Sequence, residues 1–102
     1  LKIETYKICL DKFGNLDLNE ALVEAKKLGF CRIFIEAGIK LSNSFLKEDL
    51  VDDFKLFISN DKLGKYGRDN IKNFFATYLK NKKKIVEKVN LSGDKLISYK
   101  IK

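Results

Sequence analysis

The sequence predicts an α/β fold: a mixed sheet with a parallel β-α-β-α-β start, followed by a helix and a C-terminal antiparallel hairpin. Three observations carry this expectation. Apolar runs of strand length alternate with stretches of helical periodicity over residues 3–59. The links between them are short, which favours right-handed parallel crossovers. The last two apolar runs are separated only by Ser92-Gly93-Asp94, a hairpin spacing.

The elements follow in order. Ile3 to Leu10 alternates loosely, with Ile3, Tyr6, Ile8 and Leu10 apolar, and reads as a strand. Asp11 to Asn15 is a turn. Asp17-Leu18-Asn19-Glu20 has the form of a capping box, an N-cap acid with a carboxylate three residues on. The helix that follows places Leu18, Ala21, Leu22, Ala25 and Leu28 on one face. Lys26 and Lys27 suit its negative end, and Gly29 suits the residue just past it. Arg32 to Ile35 reads as a strand covered on both faces. A tight turn, Glu36-Ala37-Gly38, leads into a second helix from Ile39 to about Asp49, with Leu41, Phe45 and Leu46 facing inward. Asp53 to Ser59 is a third strand. Asn60 to Arg68 is a basic, glycine-bearing loop, and Asp69 caps a helix to about Leu79 whose apolar side is Ile71, Phe74, Phe75 and Tyr78. Asn81 to Lys84 reads as a solvated basic run. Ile85 to Leu91 and Lys95 to Ile101 form the hairpin.

Length and composition bound the function. A chain of 102 residues is one domain and buries roughly two thirds of its unfolded surface. Apolar content of 45% and charged content of 34% describe a globular chain rather than a disordered one. No apolar run approaches the ~20 residues of a membrane span, and no signal peptide is visible. The absence of Met makes Leu1 an unusual start, so a piece of a longer chain is expected. With no His, Ser-His-Asp and Cys-His catalysis within these residues is excluded, and two cysteines are too few for a zinc site. Cys9 and Cys31 lie in apolar runs and are expected as small buried free thiols rather than a disulfide.

The net charge of +7 is uneven: residues 1–61 carry −2 and residues 62–102 carry +9. A basic half of this kind fits nucleic acid or phosphates in principle. Only Arg32 and Arg68 among the 21 cations are arginine, the residue that reads bases and forks phosphates, so a lysine-rich solvated face is the expected reading.

The Glu36-Ala37-Gly38 turn is the candidate site. Gly38 has no Cβ, so a bound group can approach its backbone. The helix after it offers free N–H groups that favour an anion, and ligands of open α/β sheets sit at strand carboxyl ends. Glu36 alone equally well caps the turn or pairs with a lysine. Ser42, Asn43 and Ser44 read as helix-surface residues, and Lys40 either neutralises a bound phosphate or, the preferred reading, is one more solvated lysine. Gly64, Lys65, Gly67 and Arg68 have a phosphate-loop flavour without P-loop spacing. Asp52 and Asp53 mark the polar start of a strand rather than a catalytic pair.

The run Phe34-Ile-Glu36-Ala-Gly38, with Leu41, Ser44-Phe45-Leu46, Leu50-Val51-Asp52-Asp53-Phe54 and Leu63-Gly64, resembles one family. It is similar to the C-terminal part of the reductase domain of the bifunctional riboflavin-biosynthesis deaminase/reductase. That family carries Val-Glu-Gly-Gly or Val-Glu-Ala-Gly at a strand end, a Phe-Leu or Leu-Leu pair in the next helix, Leu-Val-Asp-Glu before a strand, and then Ala-Pro-x-x-Leu-Gly. Here Ser59-Asn60 replaces Ala-Pro, Asp53 replaces Glu, and Lys65 follows Gly64 where another Gly is common. The match covers about residues 17–68 well and the hairpin loosely.

The resemblance implies a partial dihydrofolate-reductase-like domain and NADPH as hydride donor. It implies reduction of a phosphoribosylaminopyrimidine, 5-amino-6-(5-phosphoribosylamino)uracil, in the cytoplasm. By position it makes Glu36 a substrate contact and places Gly38, Ile39, Lys40, Leu41, Ser42, Asn43 and Ser44 beside the cofactor. It names no catalytic residue and no metal. The first half of that reductase domain and the zinc deaminase domain have no counterpart here. The chain is therefore expected to be inactive alone and to pair its exposed sheet edge with a partner, a second copy in a homodimer. The rival expectations are a basic nucleic-acid-binding module and a non-catalytic assembly segment.

Overall fold

A computed structural model describes residues 3–61, 64, 71–90 and 92–102, and all of their side chains except those of 71–74. They form two compact units, residues 1–36 and 37–102.

The first unit holds one helix, α1 (Leu18–Lys27). Asp17 caps it as expected, its carboxylate accepting the Glu20 N–H at 3.0 Å. Glu20 completes only half of a capping box. Its carboxylate accepts from the Cys9 N–H at 2.9 Å, while the Asp17 N–H donates to the Cys9 carbonyl at 2.9 Å. The start of α1 is thereby tied to the segment before it. The far end closes as the sequence predicts: Gly29 has φ +95°, its N–H bonds the Lys26 carbonyl, and the Phe30 N–H bonds that of Ala25. Leu18 is buried and Ala21, Leu22 and Ala25 are half-buried, but Leu28, at the cap, is exposed.

Two expected strands of this unit are not strands. Ile3 to Leu10 makes a single antiparallel bridge, Leu10 with Leu16, and Arg32 to Ile35 makes no ladder. Arg32 to Ile35 is also exposed rather than covered, with Phe34 at 76%. An apolar extended run becomes a strand only where a neighbour takes up its N–H and C=O groups, and no described segment pairs with it. Cys9 and Cys31 are free as expected, but both are exposed, because the runs that carry them are not buried.

The second unit comprises α2 (Ile39–Lys47), β1 (Asp53–Ile58), α3 (Ile71–Leu79), β2 (Lys83–Lys88) and β3 (Lys95–Lys100). Its sheet is antiparallel, in the order β1-β3-β2. The expected parallel β-α-β-α-β start is thus replaced, among the described residues, by a β1 that pairs antiparallel with the last strand. Asp53 faces Lys100, Lys55 faces Ser98, and Ile85 faces Ser98 from the other side. The alternation of β1 turns Phe54 and Leu56 inward. Phe54 meets the buried Phe75 of α3 edge-to-face, with ring centroids 5.1 Å apart. Phe45 and Leu46 of α2 are the other buried side chains of this unit among the described residues, and Leu41 is exposed, a correction to the sequence reading. The inward stripe runs through Ile39, Ser42, Phe45 and Leu46, at spacings of three and four, and Leu41 falls outside it.

β2 starts two residues and ends three residues earlier than the predicted Ile85 to Leu91, so Lys83 and Lys84 belong to the strand rather than to a solvated run. The connection is longer because Asn90 and Asp94 organise it: the Asn90 side-chain oxygen accepts from the N–H groups of Ser92 and Asp94, and the Asn90 amide donates to the Asp94 carboxylate at 2.7 Å. The Asn60 N–H donates to the same carboxylate at 2.8 Å, joining the end of β1 to the hairpin loop.

Candidate functional site

Gly38 is the N-cap of α2, with φ −66° and ψ 173°. This is ordinary extended backbone, so the turn itself does not require glycine. A Cβ built at Gly38 meets nothing within 4 Å. The absence of a side chain therefore matters only to something arriving from outside.

No side chain caps α2, and no acidic residue lies in its first turn. The first intrahelical bond runs from the Ser42 N–H to the Gly38 carbonyl at 3.1 Å. The N–H groups of Ile39, Lys40 and Leu41 precede it and have no helical partner. Gly38, Lys40 and Leu41 are exposed and Ile39 is half-buried, so the helix start is open. The Ser42 hydroxyl donates back to the Ala37 carbonyl at 3.3 Å, and that of Ser44 to the Lys40 carbonyl at 3.1 Å. Both serines are thus spent on backbone. Asn43 differs: its Oδ1 is buried and accepts no hydrogen bond among the described residues. An uncompensated acceptor of this kind costs about 1–3 kcal/mol, which a donor brought by a ligand or partner would return.

Glu36 is the last residue of the first unit and is exposed. Its side chain enters no hydrogen bond or ion pair among the described residues, so the lysine-pairing alternative is not realised there. The expectation that it stands at the end of a buried strand is not met, since the residues before it form no strand.

The glycine-bearing loop Gly64, Lys65, Gly67, Arg68 lies outside the described residues except for Gly64, which has φ +87°. Asp52 and Asp53 are structural: the Asp52 carbonyl accepts the N–H groups of Ile101 and Lys102, and Asp53 pairs with Lys100 at 3.0 Å. No group of three metal-ligating side chains occurs among the described residues. None of the described helices is long and apolar enough to cross a membrane.

One feature of the surface is visible only in three dimensions. An open groove on the sheet is lined by Asp53, Lys55, Lys83, Lys84, Ile85, Ser98, Tyr99 and Lys100, and it does not include residues 36–44. Antiparallel pairing sets Lys83 directly opposite Lys100. The signal in the sequence was a lysine run before one hairpin strand and lysines ending the other.

No curated protein matches the chain. The family model of the RibD C-terminal domain matches residues 1–89, spanning α1, the Glu36-Gly38 turn, α2, β1, α3 and β2. The chain belongs to the RibD C-terminal domain family.

Proposed function

We propose that this chain supplies part of the cofactor and substrate site of an NADPH-dependent reductase that acts on 5-amino-6-(5-phosphoribosylamino)uracil. Family membership carries the coarser statement, a reductase-type function in riboflavin biosynthesis with a pyridine nucleotide. The observation that supports the finer one is the open, uncapped start of α2 with unobstructed space at Gly38.

The residues present fit a phosphate-bearing nucleotide. The N–H groups of Ile39, Lys40 and Leu41 suit a phosphate oxygen, and the exposed Lys40 ammonium adds charge at the same end. Asn43, with its unpaired buried oxygen, suits an amide or hydroxyl donor. Ser42 and Ser44 shape the turn and hold the helix rather than bind. When bound, the cofactor supplies the hydride, and the protein's share is binding and orientation. Glu36, exposed beside the turn, accepts hydrogen bonds from substrate hydroxyl or amine groups and so fixes the pose of the sugar. In this reading the remainder of the reductase domain completes the site, and a second copy is the partner.

The test uses a complete reductase carrying these residues. Gly38→Val fills the space a phosphate would approach, and a Cβ at this position meets nothing within 4 Å. NADPH binding, followed by nucleotide fluorescence, is expected to weaken by at least about tenfold, about 1.4 kcal/mol. Unchanged affinity with an unchanged circular dichroism spectrum would overturn the proposal.

A further inference from the structure

The sheet ends on a strand with a free edge. β2 pairs with β3 on one side, and among the described residues nothing pairs with its other side. The phase of the ladder decides which groups that edge offers. The Val89 N–H donates to the Asp94 carbonyl, so the odd-numbered residues of this strand turn their main chain towards β3. Lys84 and Val86 therefore present an N–H and a carbonyl outward, and every residue of β2 is exposed. Such an edge pairs with another chain unless its side chains oppose it. Lys83, Lys84 and Lys88 oppose indiscriminate pairing here, and Glu87 is the one carboxylate among them. Lys83 stands directly opposite Lys100, a like charge, and Lys100 has already taken Asp53. The ion pairs among the described residues are Lys27 with Glu24 and Lys100 with Asp53, so Lys83 and Glu87 are not spent.

A second copy of the same strand meets these conditions in one register. A two-fold axis normal to the sheet sets the copies antiparallel and keeps their helix-covered faces on the same side. Only residues of like parity then face each other. With the axis at Ile85, Lys84 faces Val86 of the second copy, and the two outward main chains exchange their hydrogen bonds. Lys83 faces Glu87 of the second copy, twice by symmetry, and Ile85 faces its own copy. These odd-numbered pairs are of the non-hydrogen-bonded kind, which brings side chains closest. With the axis at Val86 instead, Lys84 faces Lys88 twice and the ion pairs are lost. β1, the other edge of the sheet, offers no such match, because its one carboxylate, Asp53, is held by Lys100.

We infer that two copies of this chain join β2 to β2, antiparallel and centred on Ile85, setting their three-stranded sheets edge to edge. The second copy that the proposed function invokes thereby gains a surface, on the ground of the strand edge and not of nucleotide binding. Sedimentation velocity over a concentration series tests it, with Phe34→Asp in every sample so that residues 30–35 do not contribute. Twice the chain mass is expected. Glu87→Lys turns both ion pairs into like-charge pairs and should raise the dimer dissociation constant at least about tenfold. Adding Lys83→Glu reverses both charges and should restore the dimer. Both side chains are exposed, and circular dichroism verifies that the fold is kept. With Cys9 and Cys31, both exposed, changed to serine, Ile85→Cys should link the copies under a mild oxidant faster than Val86→Cys does. A chain that stays single at every concentration, a charge reversal that does not restore the dimer, or faster linking at position 86 overturns the inference. Mass and linking are read without nucleotide, so a failure here is distinct from unchanged NADPH affinity in Gly38→Val.

Discussion

Glu20 shows how one side chain couples local structure to reactivity. Its position three residues after Asp17 identified the helix start from the sequence. Its actual partner is the Cys9 N–H, eleven residues earlier, and no local pattern predicts that. The same carboxylate lies beside the Cys9 thiol and raises its pKa, through hydrogen bonding first and charge second. A thiol held protonated is a poor nucleophile. Glu20→Gln removes the charge and keeps an acceptor for the Cys9 N–H. Alkylation of Cys9 by iodoacetamide at mildly alkaline pH should therefore become faster in the variant, while Cys31 is unchanged. Peptide mass spectrometry distinguishes the two sites. An unchanged Cys9 rate would show that Glu20 does not control it. Gly38 teaches a related lesson: the sequence singled it out, but its backbone angles are ordinary, so any need for glycine there lies in what binds and not in the turn.

At the scale of elements, helices were legible and two strands were not. Caps are local: Asp17 before α1 and Gly29 after it are read within a few residues, and the structure keeps both. α2 ends in the same geometry, with Asp49 at φ +57° and the Leu50 N–H on the Phe45 carbonyl, without the glycine that would have announced it. Strands need a partner that sequence periodicity does not name. Asp53 to Ile58 found one in β3, whereas Arg32 to Ile35, equally strand-like in composition, did not. The hairpin was placed correctly but trimmed wrongly, since Asn90 spends its side chain on two loop N–H groups and lengthens the connection. Asp94 anchors that loop. Its carboxyl is held below the ordinary aspartate range, first by the Asn60 N–H and then by the Asn90 amide. A depressed carboxyl contributes stability above its unfolded pKa and loses it as pH falls through the folded value. Asp94→Asn should thus lower the melting temperature near neutral pH. The gap from the parent should persist down to the ordinary aspartate range and close below it. Thermal melts across acidic pH check this, and a gap constant into strong acid would mean that the charge is irrelevant.

At the scale of the whole molecule, the balance of buried and exposed apolar surface shapes behaviour in solution. Among the described residues only Leu18, Phe45, Leu46 and Phe75 are buried hydrophobes, while Phe30, Ile33, Phe34 and Ile35 are exposed in one short stretch. An extended apolar stretch with unpaired backbone groups is a template for pairing with another chain. The charge works against random association but is unevenly spread: the first unit is neutral and the second carries all of the +7. Self-repulsion therefore guards the residues that carry this stretch least. Phe34 is the most exposed of the four and contributes little to packing, so Phe34→Asp should change stability by no more than about 0.5 kcal/mol. It places a charge in the middle of the stretch, the substitution that blunts strand pairing most directly. Light scattering over a concentration series should show the parent chain associating and the variant remaining smaller at equal concentration. Raising salt should sharpen the contrast, because screening removes the protection that charge gives the parent. If parent and variant scatter alike at every concentration, this stretch is not the route by which copies of the chain meet, and the partner surface must be sought in the sheet edges of β1 or β2.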